Sequence, residues 1–314
     1  MLEKAKRVVE EVKKVIVGKD EIVEKVLMVI FASGHILLED VPGVGKTTLA
    51  LAFSKAMNLD YRRVQFTSDT MASDITGFSI YNKHTGNLEY KKGAAFCNLL
   101  LADEINRTSP KTQAALLEVM EEQRVTLDGV THVLPKPFIC IATQNPIGSA
   151  GTQNLPESQL DRFMVRLSMG YPTLENQIEI IKNREQLDPL QLVESTLSLE
   201  DILQTRTRVK AIHAADEVIR YAAVLCEATR NSPLLERGVS PRAVIAVVSL
   251  AKAHAFLRGR DFLIPEDVQA IFADVCRHRL ILKPQAKVKK EAAAEILQSI
   301  LQTEKAPAMI RQGK

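Results

Sequence analysis

Apolar positions along the chain follow two spacings, which predict helices and buried strands in turn. Near the start, Val8, Val12 and Ile16 recur at helical spacing, and a second helical pattern begins after a break at 17–19. Short and mostly apolar or alternating runs then predict strands of a parallel sheet at 36–38, 61–66, 98–103 and 138–142. Helical patterns separate some of these runs. The chain is therefore predicted to have an α/β fold with a parallel sheet core.

The second half of the chain has a different pattern. After a Gly-Tyr-Pro sequence at 170–172 the strand patterns end, and all that follows is predicted to be helical. The helical patterns cover 176–186, 198–203, 209–214, 216–229, 241–257 and 265–280. A length of 314 residues allows two domains. We predict a nucleotide-binding α/β domain over 1–170, an all-α domain over 173–283, and a C-terminal helix and tail over 284–314.

The best-defined motif joins the first apolar run to a helical pattern. Its candidate nucleotide-binding residues are Pro42, Gly43, Val44, Gly45, Lys46, Thr47 and Thr48. Glycines let backbone N–H groups surround a polyphosphate, and the helix presents its positive N-terminal end to the same anion. Lys46 is predicted to reach the β- and γ-phosphates of ATP and Thr47 to ligate Mg²⁺. The alternative is a glycine-rich turn with an exposed lysine.

Residues on either side of this motif bear on nucleotide binding. Asp40 occupies the place of the first glycine of the phosphate-loop pattern, and the turn is expected to survive if Asp40 tolerates the backbone conformation there. Val17 and Gly18, in the break between the first two helices, are candidates for contact with the adenine base. The alternative for Gly18 is an ordinary turn between helices.

Acidic and amide side chains follow two of the other apolar runs. Asp103 and Glu104 end the run at 98–103, and Asn145 follows the run at 138–142. Ligands bind at the carboxyl ends of parallel strands, so these groups are predicted to meet there. Asp103 would hold Mg²⁺, Glu104 would deprotonate the attacking water, and Asn145 would bind that water and the γ-phosphate. The alternatives are a helix cap and an Asn-Pro turn.

Longer motifs resemble one protein family. They are Asp-Glu-Ile-Asn-Arg at 103–107, Lys-Thr-Gln at 111–113, Ala-Thr-Gln-Asn-Pro at 142–146 and Leu-Pro-Glu-Ser-Gln-Leu-Asp-Arg-Phe at 155–163. In these, the chain resembles the MoxR family of AAA+ ATPases over about residues 15 to 280. The resemblance implies a helix-2-insert AAA+ module related to magnesium-chelatase ATPase subunits. The insert would lie within 68–95 and the pre-sensor-1 hairpin at 125–134, where alternation around Asp-Gly independently predicts a hairpin.

The resemblance also assigns roles to residues. It makes Lys46 and Thr47 the Walker A pair, Asp103 and Glu104 the Walker B pair, and Asn145 sensor 1. Arg162 falls where the family has an arginine finger, which contacts the γ-phosphate of a neighbouring subunit; an ion pair with Asp161 or Glu157 is the alternative. Arg242, in the first turn of a helix, resembles sensor 2 and is expected to reach the γ-phosphate in cis. An ordinary solvated arginine is the alternative there.

The function implied by the resemblance is that of an ATP- and Mg²⁺-dependent ring ATPase. The ring is expected to be a hexamer that remodels or matures partner proteins in a chaperone-like way. Such partners often carry a von Willebrand A-type domain, but the sequence does not identify this chain's client. One alternative is a nucleic-acid-dependent motor, which the absence of Lys and Arg from 125–134 disfavours. Another is a nucleotide-gated assembly module.

Composition excludes several other classes. The net charge is +3, and the segment 283–314 alone has seven basic and three acidic residues, so the two predicted domains are near neutral and nucleic acid is an improbable partner. No apolar run approaches the ~18 residues of a membrane span, and the N-terminus has no signal-peptide core. The four cysteines lie apart in apolar stretches, which predicts reduced core residues and a cytoplasmic location.

Overall fold

The computed structural model describes residues 1–145, 155–186, 188–284, 286 and 293–307. Within them the strands are β1 Ile36–Glu39, β2 Tyr61–Gln65, β3 Gly77–Asn82, β4 Asn87–Lys92, β5 Leu99–Asp103, β6 Arg124–Leu127, β7 Val130–Val133, β8 Ile139–Gln144, β9 Val165–Leu167, β10 Leu235–Arg237 and β11 Ile281–Leu282. The α-helices are α1 Leu2–Lys13, α2 Asp20–Phe31, α3 Lys46–Ala56, α4 Ala72–Thr76, α5 Pro110–Glu122, α6 Glu157–Leu160, α7 Leu174–Gln186, α8 Leu199–Ala211, α9 Asp216–Asn231, α10 Pro241–Leu257, α11 Pro265–Cys276 and α12 Ala293–Thr303.

A five-stranded parallel sheet forms the centre of the first half of the chain. The strand order is β2-β5-β8-β1-β9, and every neighbouring pair is parallel. All residues of β5 and β8 are buried, as expected for strands covered on both faces. Because the strands are parallel and in register, the ends of β1, β5 and β8 lie along one edge. The predicted α/β fold is confirmed.

Side chains alternate between the two faces of the sheet and form two apolar clusters. Leu37, Leu100 and Cys140 point to the cluster that contains α5 and both hairpins. Their neighbours in the strands join the second cluster, which includes α1, α2 and α3 and continues without interruption into α8, α9, α10 and α11. The helices from α8 to α12, in their described residues, therefore pack on the sheet through a shared core.

Two antiparallel hairpins project from this frame. One is β3–β4, within the predicted insert, and the other is β6–β7, at the predicted hairpin. Asp128 and Gly129 both have positive φ, as a two-residue hairpin turn between right-twisted strands requires. The rings of Tyr90 and His132 stack with centroids 3.9 Å apart, so the two hairpins contact each other.

Some predicted elements differ from those observed. The pattern at 198–203 and the first part of the pattern at 209–214 belong to one helix, α8, which ends at Ala211. Between the two patterns the hydroxyls of Thr205 and Thr207 donate back to helix carbonyls. Strands do not end at residue 173, since β10 and β11 pair within the helical part. The four cysteines are free and buried, as predicted. Among the described residues no helix is long and apolar enough to cross a membrane.

A buried histidine connects the start of β1 to its neighbours. Nδ1 of His35 accepts a hydrogen bond from the Cys140 N–H at 3.0 Å, and Nε2 lies 3.0 Å from the carbonyl oxygen of Met120. Accepting at Nδ1 leaves the proton of the neutral ring on Nε2, which donates it to that carbonyl. Burial lowers the pKa of His35 from 6.5 to about 4.

The free energy of unfolding is therefore expected to fall as pH falls. Between pH 6.5 and 4 the unfolded chain binds a proton at residue 35 that the folded chain rejects, which destabilises the fold by up to about 3 kcal/mol. Urea denaturation at pH 7 and 4.5 measures this loss, and His35→Gln should lessen it. His213→Gln, at an exposed histidine, is the matched control. An unchanged pH dependence in His35→Gln would contradict the prediction.

Candidate nucleotide-binding site

The turn between β1 and α3 has the backbone of a phosphate loop. Gly43 and Gly45 have φ of +86° and +100°, a region that residues with a Cβ rarely adopt. Lys46 begins α3, and its ammonium group donates to the carbonyl oxygens of Asp40 at 2.6 Å and Val41 at 3.1 Å. Burial lowers the pKa of Lys46, while nearby carboxylates oppose that shift. The ammonium group is thus held over the loop that would surround a phosphate.

Asp40 has a role that differs from the one expected. Its φ is negative, so no unusual backbone conformation has to be tolerated. Its buried carboxylate accepts hydrogen bonds from the Ser168 hydroxyl at 2.8 Å and from the N–H groups of Met169 at 2.5 Å and Gly170 at 3.0 Å. The residue in the place of the motif's glycine therefore connects the phosphate loop to the segment between β9 and the helical part.

Asp40→Gly is consequently expected to destabilise the protein although it brings the loop closer to the consensus pattern. The buried N–H group of Met169 and the half-buried one of Gly170 would lose a charged acceptor, which costs about 2 kcal/mol or more. Thermal unfolding measures the change, and Asp69→Gly, at an exposed aspartate, controls for the added glycine. A variant as stable as the parent would show that these three hydrogen bonds contribute nothing.

The first carboxylate of the acidic pair is fixed by two neighbouring strands. Asp103, the last residue of β5, accepts from the Thr143 hydroxyl of β8 at 2.6 Å. Its other oxygen accepts from Nη2 of Arg63 in β2 at 2.7 Å. Both contacts follow from the strand order, which places β5 between β2 and β8. The carboxylate is therefore oriented before any ion is bound.

The second carboxylate belongs to a residue with a strained backbone conformation. Glu104 has φ 57° and ψ 47°, a left-handed conformation that costs a non-glycine residue on the order of 1 kcal/mol. Its Oε1 accepts from the Asn145 amide at 3.0 Å, and its Oε2 from the Gln65 amide at 2.9 Å and the Arg107 guanidinium at 3.0 Å. Three donors thus hold the group that was predicted to activate water.

The predicted phosphate, magnesium and water-activating groups converge on one cleft of about 350 Å³. It is lined by Pro42, Gly43, Gly45, Lys46, Thr47, Thr48, Arg63, Gln65, Asp103, Glu104 and Asn145. Oxygen donors from Thr47 and Asp103 in the same cleft fit Mg²⁺, which prefers a few protein oxygens completed by water and phosphate. In the described residues no cluster of three metal-ligating side chains occurs, so this donor set leaves most ligand positions to phosphate and water.

A second pocket, of about 240 Å³, continues from this cleft and shares Gly43, Gly45 and Thr48 with it. Its other walls are mostly apolar and include Val17, Val44 and Met169. Gly18 does not line it. A Cβ on Gly18 would lie 1.8 Å from the side-chain nitrogen of Asn176, so this glycine instead permits close approach of α7.

Arg63 and Gln65 were not predicted as site residues. They lie in β2, opposite Leu101 and Asp103 of β5. Both side chains reach the acidic pair only because β2 is the neighbour of β5. The polar residues that alternate with apolar ones in this run were a sequence signal of site residues. Only the strand order shows that they face the acidic pair.

The two predicted arginines meet at one carboxylate. Nη1 of Arg162 lies 2.6 Å from Oε2 of Glu121 and also donates to the Leu117 carbonyl at 2.9 Å. Nη1 of Arg242 donates to Oε1 of the same glutamate at 3.1 Å. Glu121, near the end of α5, therefore holds both guanidinium groups side by side.

The alternative partners predicted for Arg162 are occupied by other arginines. Asp161 pairs with Arg279 at 2.5 Å, and Glu157 pairs with Arg237 at 3.2 Å. Arg162 thus forms an ion pair, as the alternative to the finger role supposed, but with Glu121 and not with Asp161 or Glu157.

The structure does not place Arg242 in the cleft where the γ-phosphate of its own chain was predicted to bind. Arg162 and Arg242 line a pocket with Ser33, Gly34 and His35, which precede β1, whereas the phosphate loop follows it. The four residues of β1 span about 13 Å, and neither arginine lines the cleft that contains Lys46. The cause is the packing of α10 on α2, which places the first turn of α10 at the amino edge of the sheet.

The parallel sheet has a phosphate loop after β1, an acidic pair after β5 and an amide after β8. Together these features define a nucleotide-binding module of the AAA+ type. Comparisons with known proteins agree. Residues 35–165 match the family model described as ATPase family associated with various cellular activities, and 227–300 match the AAA lid domain. The chain belongs to the MoxR family of AAA+ ATPases.

Three similar proteins support that assignment. The chain is 38% identical to Chaperone MoxR1 of Mycobacterium tuberculosis, over 95% of this chain and 81% of that protein. It is 44% identical to the uncharacterized protein YeaC of Bacillus subtilis, over 96% and 94% of the two chains. A crystal structure of a candidate ATPase from Cytophaga hutchinsonii superposes with a TM-score of 0.91, at 37% identity, over 98% of this chain and 96% of that one.

Proposed function

We propose that this protein hydrolyses ATP to ADP and phosphate and uses the energy to remodel or mature partner proteins. The observation that carries the proposal is the convergence of Lys46, Thr47, Asp103, Glu104 and Asn145 on one cleft. That cleft continues into a mostly apolar pocket of a kind that suits a purine base. The phosphate end and the base end of ATP would thus each have a matching part of the site.

Each side chain in the cleft is assigned a separate role in hydrolysis. Lys46 would leave the loop carbonyls to bind the β- and γ-phosphates, and Glu104 would accept a proton from the attacking water. Asn145, already on Glu104, would orient that water. Thr47 and Asp103 would hold Mg²⁺, which when bound supplies charge neutralisation on the phosphates.

A single subunit lacks one part of this site. Arg162 and Arg242 lie at the opposite edge of the sheet from the phosphate loop of their own chain. Guanidinium groups are suited to neutralise the charge that develops on the γ-phosphate, and here they would do so for a neighbouring subunit. A head-to-tail ring, a hexamer in our proposal, gives every cleft a neighbour's arginines.

The proposed client is a protein, with proteins that carry a von Willebrand A-type domain as the first candidates. Support comes from the two hairpins, whose exposed apolar side chains include Phe78, Tyr81, Leu88 and Val133. Exposed apolar side chains grouped on contacting hairpins are typical of a protein-binding surface. The similar protein of Mycobacterium tuberculosis is named a chaperone.

The test is the ATPase rate per subunit over a range of protein concentrations. If each cleft needs a neighbour's arginines, the rate per subunit should rise with concentration and then level off. Lys46→Ala should be inactive throughout, which controls for contaminating ATPases. A rate that stays constant down to a demonstrated monomer would contradict the shared site, and no hydrolysis at any concentration would contradict the function.

A further inference from the structure

Helix α7 carries an apolar stripe on its outer face. Leu174, Ile178 and Ile181 follow the spacing of one helix face, and their exposed fractions are 67%, 46% and 59%. The inner face of the same helix is turned to the mostly apolar pocket beside the phosphate loop, which Ile180 and Asn183 line. Exposing three large aliphatic side chains in a row is unfavourable in water, so this stripe is suited to a partner.

An open groove of about 720 Å³ lies elsewhere on the chain, between α2, α8, α9 and α10. Most of its wall is apolar, and Ile245 and Ile219 remain 70% and 40% exposed. The groove shares Ser33, Ile245 and Ser249 with the pocket of Arg162 and Arg242. It is therefore the direct continuation of the surface that carries the two arginines.

Charge distinguishes the groove from the stripe. The groove is lined by Arg206, Lys210 and Lys252 and by no carboxylate among the described residues. Nη2 of Arg206 is buried without a hydrogen-bond partner in the described part of the chain, and burial lowers the pKa of that guanidinium to about 10. Helix α7 offers exposed carboxylates, of which Glu185 continues the face of the apolar stripe.

We propose that the outer stripe of α7 in one subunit docks into this groove of the next subunit and thereby sets the position of the shared nucleotide site. The stripe lies beside the nucleotide cleft, which neither Arg162 nor Arg242 lines, and the groove lies beside those two arginines. Docking one on the other covers both apolar surfaces and brings Glu185 towards the basic side chains that line the groove. The interface is heterologous, as a ring requires. This proposal rests on the proposed function for the role of the site it completes.

The experiment uses two full-length variants that each remove one side of the interface. A stripe variant carries Ile178→Asp and Ile181→Asp, and a groove variant carries Ile245→Asp. With ATP and Mg²⁺, each alone should sediment as a monomer with an ATPase rate at least about tenfold below the parent. Val224→Asp, which adds the same charge on the exposed part of α9, should assemble like the parent.

Mixing the two variants leaves one intact interface and should give a dimer with recovered ATPase activity. In that dimer the groove variant supplies the nucleotide cleft and the stripe variant supplies the arginines. Lys46→Ala should therefore abolish the recovered rate when added to the groove variant, and should leave it unchanged when added to the stripe variant.

Parent-like assembly of either single variant, or a mixture that remains monomeric, would overturn the proposal. Sedimentation decides this even if the parent protein fails to hydrolyse ATP, in which case the proposed function fails separately.

Discussion

Glu104→Gln is expected to stop ATP hydrolysis while ATP binding persists. The amide that replaces the carboxylate cannot accept the proton of the attacking water, and a positioned general base contributes about 10²–10⁴-fold to rate. The side chain is nearly isosteric, and its remaining oxygen can still accept from the Asn145 amide, while its NH2 group can donate to Gln65 once the Gln65 amide turns over. Steady-state phosphate release and binding of a fluorescent ATP analogue measure the two properties separately.

Lys46→Ala supplies the contrast, because it should weaken both binding and hydrolysis. Gln65→Ala is informative as well, since it removes one of the donors to Glu104 without touching the base itself. If Glu104→Gln keeps more than about a tenth of the parent rate, a different group activates the water and the proposed mechanism is wrong. Because Glu104→Gln should stay bound to ATP, this variant could also be used to capture the client protein.

Arg162→Ala is expected to lower the ATPase rate by about 10³-fold or more, the effect of arginine fingers in other nucleotide hydrolases. Its nucleotide cleft is untouched, because the arginine lies at the other edge of the sheet. An equal mixture with Lys46→Ala should recover activity, since one chain provides the cleft and the other the arginine. Random neighbours would give about a quarter of the parent rate.

Recovery in the mixture is the decisive result. A finger that acted within its own chain would give none, because neither chain then has a complete site. Arg237→Ala is a suitable control, since this arginine also pairs with a glutamate but is well exposed and does not line the arginine pocket. If Arg162→Ala alone has an ATPase rate close to that of the parent, Arg162 takes no part in the mechanism.

The sequence predicted those features whose residue types are dictated by local chemistry. A phosphate loop needs glycines at positive φ and a lysine at a helix start, and Gly43, Gly45 and Lys46 have this geometry. Buried strands of a parallel sheet need continuous apolar runs, and β5 and β8 are such runs. In both cases a short segment determines its own structure.

The features that were missed depend on which elements become neighbours. Arg63 and Gln65 reach the acidic pair because β2 lies beside β5, which the order of the chain does not reveal. The position of Arg242 depends on how α10 packs on α2. Asp40 was judged by its backbone, whereas its side chain finds partners about 130 residues later in the chain. Long-range packing, more than local preference, decides such contacts.

The apolar cluster shared by the sheet and the helical part has a mechanical consequence. A hinge within one subunit would expose that cluster to water each time ATP was bound or released, at a cost that grows with every separated side chain. Each chain should therefore turn as a stiff unit, and the work of the cycle should be expressed as tilting between successive protomers around the ring.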